Sequence, residues 1–145
     1  MKNIEPDSLR WLERPAVRES FSELLAFVMD GARAANLSED NLWKLELAVE
    51  ELVTNVIRHG YAPGESASVR VGYGVSFSGD FSVQIRSGGV AFNPLLAEAP
   101  DLTLDVAQRG VGGLGIHLVK TVTDQIDYQH EAGINVVSFR IRQSS

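Results

Sequence analysis

The sequence predicts an α+β two-layer sandwich: a mixed, mostly antiparallel sheet with helices on one face. Two observations point there. Three stretches repeat apolar residues at helical spacing, and two pairs of strand-like stretches are joined by turn-sized gaps and so read as hairpins. No internal repeat, low-complexity tract or interdomain linker interrupts the 145 residues, a length that suits one compact domain with a sizeable core.

The elements follow in order. "SLRWLE" alternates and reads as a short first strand. "RPAVRESFSELLAFVMDGARAANL" places Pro15 near a helix start, after which Val17, Phe21, Leu24, Leu25 and Val28 recur at helical spacing. Ser38 is a good N-cap for a second helix over 39–59, which ends at Gly60. "YAPGES" is a turn-rich loop. "ASVRVGYGVSF" and "DFSVQIRS" read as two strands of a hairpin joined through "SGD". Residues 88–112 have no sustained period. "GLGIHLVKTVTDQI" then reads as a third helix, and "IDYQHE" with "INVVSFRIR" as a closing hairpin across Ala132-Gly133.

Composition narrows the function classes. The hydrophobic fraction of 44% and charged fraction of 22% are those of an ordinary soluble globular protein. A net charge of −6 does not encourage nonspecific binding to nucleic acid or acidic lipid, so neither is an expected partner. There is no cysteine, which excludes disulfides, thiolate catalysis and cysteine-based zinc sites. The start, "MKNIEPDSLRWLERP", is too charged for a signal peptide, and no apolar run approaches a membrane span. A cytoplasmic location is the expectation.

The second helix raises a chemical question. At about 100° per residue, Leu45, Ala48, Val49, Leu52 and Val56 share one stripe, while Glu51 and Asn55 lie about 40° apart to one side of it. They sit on the rim where a helix meets its neighbours. Such a pair is either a solvated polar edge or the wall of a crevice.

"RGVGGLGIHLVK", residues 109–120, runs several glycines into an amphipathic helix. Glycine lets backbone N–H groups approach a ligand closely, and a helix N-terminus favours anions, so phosphate is the natural candidate. The alternative is a flexible loop with a helix start. A P-loop fails, because Gly115 is followed by Ile116 and His117 rather than Lys-Ser/Thr. A dinucleotide fingerprint matches literally at Gly110, Gly112 and Gly115, with Glu131 downstream. It lacks its context: "DLTLDVAQR" is a poor buried strand, and the 14 residues after Glu131 leave no room for a second βαβ unit. The long stretch from Gly88 to Gly112 fits a lid that ends in the glycine run.

Taken together, "EELVTNVIRHGY", "GGVAFNPL", "GVGGLGIHLVK", "TDQIDYQ" and "INVVSFRI" resemble, in order and spacing, the GHKL (Bergerat-fold) ATPases, and among them the RsbW-type anti-sigma-factor serine kinases. The resemblance covers essentially the whole chain and implies a single histidine kinase-like ATPase domain over residues 1–145 with the Bergerat ATP-binding fold. It implies ATP and Mg²⁺, with Asn55 as the metal-binding asparagine and Glu51 as the general base that accepts a proton from the attacking hydroxyl. Gly112, Gly113, Leu114 and Gly115 match the second glycine box, with Gly110 just before it, and residues 93–111 match the ATP lid. Arg109 is either a phosphate contact or a solvated lid residue. His59, one turn after Asn55, is read as structural or pocket-lining.

One position departs from the pattern. The first glycine box carries an Asp at a strand end that accepts a hydrogen bond from the adenine amino group; "QIRSGGVAFNP" has Ser87 there, followed by Gly88 and Gly89. A hydroxyl can accept that bond without a charge. Loss of a charge-assisted hydrogen bond costs about 1–3 kcal/mol of binding.

The resemblance implies a cytoplasmic protein serine/threonine kinase, a transferase that acts in transcription regulation by partner switching. Such a kinase either sequesters a sigma factor or phosphorylates a STAS-domain anti-anti-sigma partner. The alternative is a partner-binding module of the same fold whose nucleotide binding and catalysis are impaired because Ser87 replaces Asp. A sensor-kinase ATPase domain is a third reading, but no helix pair carrying a phospho-acceptor histidine is present; His117 and His130 lie within the catalytic fold. A homodimer is a candidate assembly, with the sheet edge near the N-terminal strand as one surface.

Overall fold

The computed structural model describes residues 8–59, 67–88, 91, 93–96 and 113–143. It contains β1 (Arg10–Pro15), α1 (Phe21–Ala34), α2 (Glu39–His59), β2 (Ser68–Val75), β3 (Phe81–Gly88), α3 (Gly113–Val122), β4 (Gln125–Glu131) and β5 (Ile134–Ile141). The five strands form one sheet in the order β1-β2-β3-β5-β4, and all four pairings are antiparallel. β1 and β4 are its edges.

The strand register sorts the side chains onto two faces. Phe81, Val83, Ile85 and Ser87 of β3 lie in phase with Asn135, Val137, Phe139 and Ile141 of β5. This face is buried: its apolar members join Leu24 and Val28 of α1, Leu45 and Leu52 of α2, and Ile116 and Val119 of α3 in one core. The opposite face is more polar. There Arg70 and Arg86, cross-strand partners, hold their guanidinium carbons 4.7 and 5.7 Å from the ring centre of Trp11 on β1.

Local chemistry fixes the helix ends. α1 buries Leu24, Val28, Met29, Gly31 and Ala32 and closes in a Schellman turn. Asn36 takes a left-handed φ of 62°, with Leu37 N–H donating to Ala32 O and Asn36 N–H to Arg33 O. Gly31 abuts the Tyr73 ring, which stacks on Phe81, so any side chain at 31 would push α1 off the sheet. α2 starts as expected: Ser38 Oγ accepts from the Asn41 backbone N–H at 3.1 Å, and Glu39 and Asp40 follow in the first turn.

Three boundaries differ from the sequence expectation. Pro15 ends β1, opposite Ser68, and does not begin a helix. A proline is tolerated at an edge strand because it needs no ladder donor there; α1 begins only after a 3₁₀ turn at Arg18–Ser20. The third helix stops at Val122, four residues early, because Gln125 and Ile126 are drawn into β4, where Ile126 pairs with Phe139. The β2–β3 turn runs from Ser76 to Asp80, longer than "SGD", and is closed by Ser76 N–H donating to Asp80 O. The closing hairpin turns at Ala132 (φ 50°) and Gly133 (φ 79°), as a two-residue turn with both central residues left-handed requires.

Candidate functional site

α2 carries the first two candidate residues because its apolar stripe fixes its rotation. Leu45, Ala48, Val49, Leu52, Val53 and Val56 face the core, which leaves Glu51 and Asn55 at the margin toward α3. Asn55 is only 7% exposed, so it is not a solvated edge; Glu51 is half-buried. A buried carboxamide is expensive unless it is used.

α3 supplies the closest approach in the site. A Cβ built on Gly115 would overlap the carboxylate of Glu51. Gly115 is the third residue of α3, so this carboxylate lies against the first turn of the helix, whose backbone N–H groups have no intrahelical acceptor. The glycine that sequence analysis read as a phosphate cradle thus also makes room for the candidate base. Glu50, next in chain, has its carboxyl pushed above the usual range by burial, and further by Glu46 and Glu51.

Ser87 is the last inner-face residue of β3 and is 5% exposed. Its cross-strand partners are Val69 on β2 and Asn135 on β5. Asn135 is equally buried, and its Oδ1 accepts from the Tyr128 hydroxyl at 2.5 Å. Sequence reading assigned neither Asn135 nor Tyr128 a part in the site. The signal was present in the alternation of "INVVSFRI", which puts Asn135 in phase with the buried Val137, Phe139 and Ile141.

Other candidates are placed only in part. Gly113 and Leu114 open α3. Gly89, Arg109, Gly110 and Gly112 lie outside the described residues, as does most of the expected lid over 93–111. Its first residues form a short 3₁₀ turn at Pro94–Leu96, entered by Leu95 N–H donating to Asn93 Oδ1 at 2.9 Å. His59 ends α2, while His117 and His130 are exposed. Among the described residues no group of three His, Cys, Asp or Glu side chains is placed to hold a metal. No helix among them is long and apolar enough to cross a membrane.

The chain that carries this arrangement has known relatives. Residues 15–141 match the family model of the histidine kinase-like ATPase domain. The chain belongs to that family. Use of ATP follows from membership. This histidine kinase-like ATPase domain is 26% identical over 129 residues to the serine/threonine-protein kinase BtrW of Bordetella bronchiseptica, covering 89% of this chain and 79% of that one. It is 30% identical over 103 residues to the serine-protein kinase RsbW of Bacillus subtilis, covering 67% and 62%. With RsbW of Bacillus licheniformis the identity is 30% over 105 residues, covering 68% and 64%. The chain thus spans just under two thirds of these two Bacillus kinases. The crystal structure of the RsbU and RsbW domains of Rv1364c from Mycobacterium tuberculosis superposes with a TM-score of 0.66 at 15% identity, over 94% of this chain and 33% of that one, a likeness of fold.

Proposed function

We propose that this chain is an ATP-dependent protein serine kinase and anti-sigma factor of a partner-switching system, whose protein substrate is a STAS-domain antagonist. The observation that carries the catalytic part is the seating of the Glu51 carboxylate against Gly115 at the first turn of α3. The names of the relatives supply the serine-kinase chemistry and support the partner classes.

The residues fit a Mg²⁺–nucleotide complex. Mg²⁺ keeps several waters and takes one or two protein oxygens besides substrate phosphates, so a single buried carboxamide such as Asn55 suits it and a cluster of carboxylates is not needed. When bound, the ion neutralises phosphate charge. The helix start at Gly113–Gly115 offers backbone donors to phosphate oxygens. Glu51 takes the proton of the attacking serine hydroxyl as its oxygen bonds to the γ-phosphorus and the bond to the ADP oxygen breaks; ADP leaves. Ser87, at the end of β3, would accept from the adenine amino group.

A second reading has its own observation. Ser87 is buried and uncharged where the family resemblance implies an aspartate, which favours a weakly catalytic partner-binding module. Calorimetric titration with ATP, with and without Mg²⁺, decides between them. The kinase reading expects Mg²⁺-dependent binding and phosphoserine on a STAS-domain protein by mass spectrometry. Absence of nucleotide binding leaves the binding module.

A further inference from the structure

We propose that the solvent-facing side of the sheet carries a docking site for a carboxylate side chain of an acidic protein partner, built by Arg70 and Arg86 beside a gap at Gly88. The site goes beyond the nucleotide reading and does not depend on it. Arg70 and Arg86 are direct cross-strand partners on β2 and β3. Like charges in that position repel and weaken a sheet, so the pair needs compensation. Part of it comes from Trp11. Its ring lies over Gly72, its cross-strand partner, where a Cβ would collide with the indole. Both guanidinium groups sit over that ring. Glu13 supplies one carboxylate, 3.6 Å from Arg70 Nε. Arg86 has no carboxylate partner among the described residues; its Nε donates to the neutral Gln84 at 3.2 Å. Two guanidinium charges therefore face one carboxylate, which leaves one unit of positive charge on a chain whose net charge is −6.

That positive charge borders an open cavity of about 110 Å³, lined by Arg70, Arg86, Gly88 and Ile134 together with Ser68 and Ser87. Gly88 leaves the space: a Cβ there would meet nothing within 4 Å. Ile134, its cross-strand partner, gives the cavity an apolar side. Glu131, paired with Ile134 on β4, does not line it. The ligand class follows from charge and shape. One uncompensated positive charge matches one negative charge, as on an aspartate or glutamate, whereas a phosphate monoester carries nearly two. A guanidinium offers a fork of N–H donors that fits a carboxylate bidentately. Trp11 restrains both forks before a ligand arrives, so less side-chain freedom is lost on docking. The exposed Arg70–Glu13 pair is too long for a hydrogen bond and is easily exchanged for a better acceptor. A cavity of this size is too small to enclose a free metabolite, but it can seat one side chain presented by a second protein.

The test uses the full chain with Trp43→Phe, so that Trp11 is the one tryptophan left and reports on the site by fluorescence. The probe is a tetraglutamate peptide blocked at both ends, with blocked tetraglutamine and inorganic phosphate as comparisons. Tetraglutamate is expected to change the Trp11 signal saturably, and tetraglutamine is not. Arg86→Gln should weaken tetraglutamate binding at least about tenfold. Gly88→Val, which keeps both charges and fills the cavity, should weaken it as much. Glu13→Gln removes the competing carboxylate and should tighten it. Arg33→Gln, which removes an exposed arginine on α1, should change it by less than about twofold. A loss as large in Arg33→Gln as in Arg86→Gln would overturn the site in favour of diffuse attraction. So would the absence of a saturable response, or a Gly88→Val protein that binds normally. Phosphate that binds as tightly as tetraglutamate would overturn the carboxylate as the ligand. Competition by ATP with Mg²⁺ would make the cavity part of the nucleotide site; its absence supports a separate surface whether or not the chain binds nucleotide. Melting curves check the fold of each variant, and should Arg86→Gln not fold, Gly88→Val and Glu13→Gln decide.

Discussion

Gly115 of α3 stands so close to Glu51 of α2 that no side chain fits between the helix backbone and the carboxylate. Two requirements meet at this position. On the proposed mechanism the helix start must be lean enough to reach phosphate, and the carboxylate must remain beside it. Gly115→Ala separates stability from chemistry. The group that must move is the far end of a flexible glutamate, and alanine favours a helix over glycine by about 1 kcal/mol. The variant should melt at or slightly above the wild-type temperature, yet lose phosphoryl transfer because Glu51 is displaced. A fully active, stable Gly115→Ala protein would show that the carboxylate is not needed where it sits.

Glu51→Gln tests the same carboxylate without moving it. The amide keeps the size and the place against Gly115 but cannot accept the hydroxyl proton. Nucleotide affinity should stay within a few-fold of wild type, on the order of 1 kcal/mol or less, while transfer to serine is abolished. Transfer at the wild-type rate in single-turnover kinetics assigns the base elsewhere.

Asn55→Ala removes the buried carboxamide. The expected outcome is loss of the Mg²⁺ dependence of ATP binding rather than a general fall in affinity for adenosine. Its melting temperature should change little, because truncation removes a polar group from a margin and not an apolar residue from the core. ATP affinity that ignores both Mg²⁺ and this substitution would return Asn55 to a structural role.

How far these residues could be found without a structure depends on whether they announce themselves locally. The period of α2 put Glu51 and Asn55 to one side of a core stripe, but periodicity alone did not say whether that side was solvated; the burial of Asn55 shows that it is not. The glycine run read as a phosphate cradle, whereas the contact of Gly115 with Glu51 is made between helices 64 residues apart and has no local signature. Ser87 was visible as a departure from a pattern. The alternation of "INVVSFRI" put Asn135 on the buried face, but its pairing with Ser87 was not visible, because β3 and β5 are joined by no short turn and their register has no local signature. Boundaries failed where tertiary demand overrode propensity, as at Ile126, which continues a helical pattern but is needed on the sheet.

Glu50 gives a pH dependence of known sign. Its carboxyl is held above the usual 4.5 by burial first, then by Glu46 and Glu51. A pKa higher in the folded state than in the unfolded one means that the native state binds the proton more tightly. Native stability then falls as pH rises through that window. The penalty is absent below the unfolded value and fully present above the raised one. Glu50→Gln should therefore raise the melting temperature at about pH 7.5 and leave it unchanged at about pH 3. A gain of equal size at both values would mean that charge is not its cause.

Ser87→Asp asks whether the pocket still expects an adenine. If the nucleotide site is intact, a carboxylate at the end of β3 restores a strong acceptor for the adenine amino group. ATP binding should tighten ten- to a hundredfold for a bond worth about 1–3 kcal/mol. The gain should shrink with GTP, whose carbonyl oxygen faces the new charge. The position is demanding, since Ser87 is buried between Val69 and Asn135. In a pocket repacked around serine, the aspartate is a buried charge with little to offset its desolvation, and the protein melts lower without binding ATP better. On the nucleotide reading, a fall in melting temperature with a gain in ATP affinity is the expected pair of results. A fall in stability with no gain at any ATP concentration tested would mark this chain as a binding module that has given up its nucleotide.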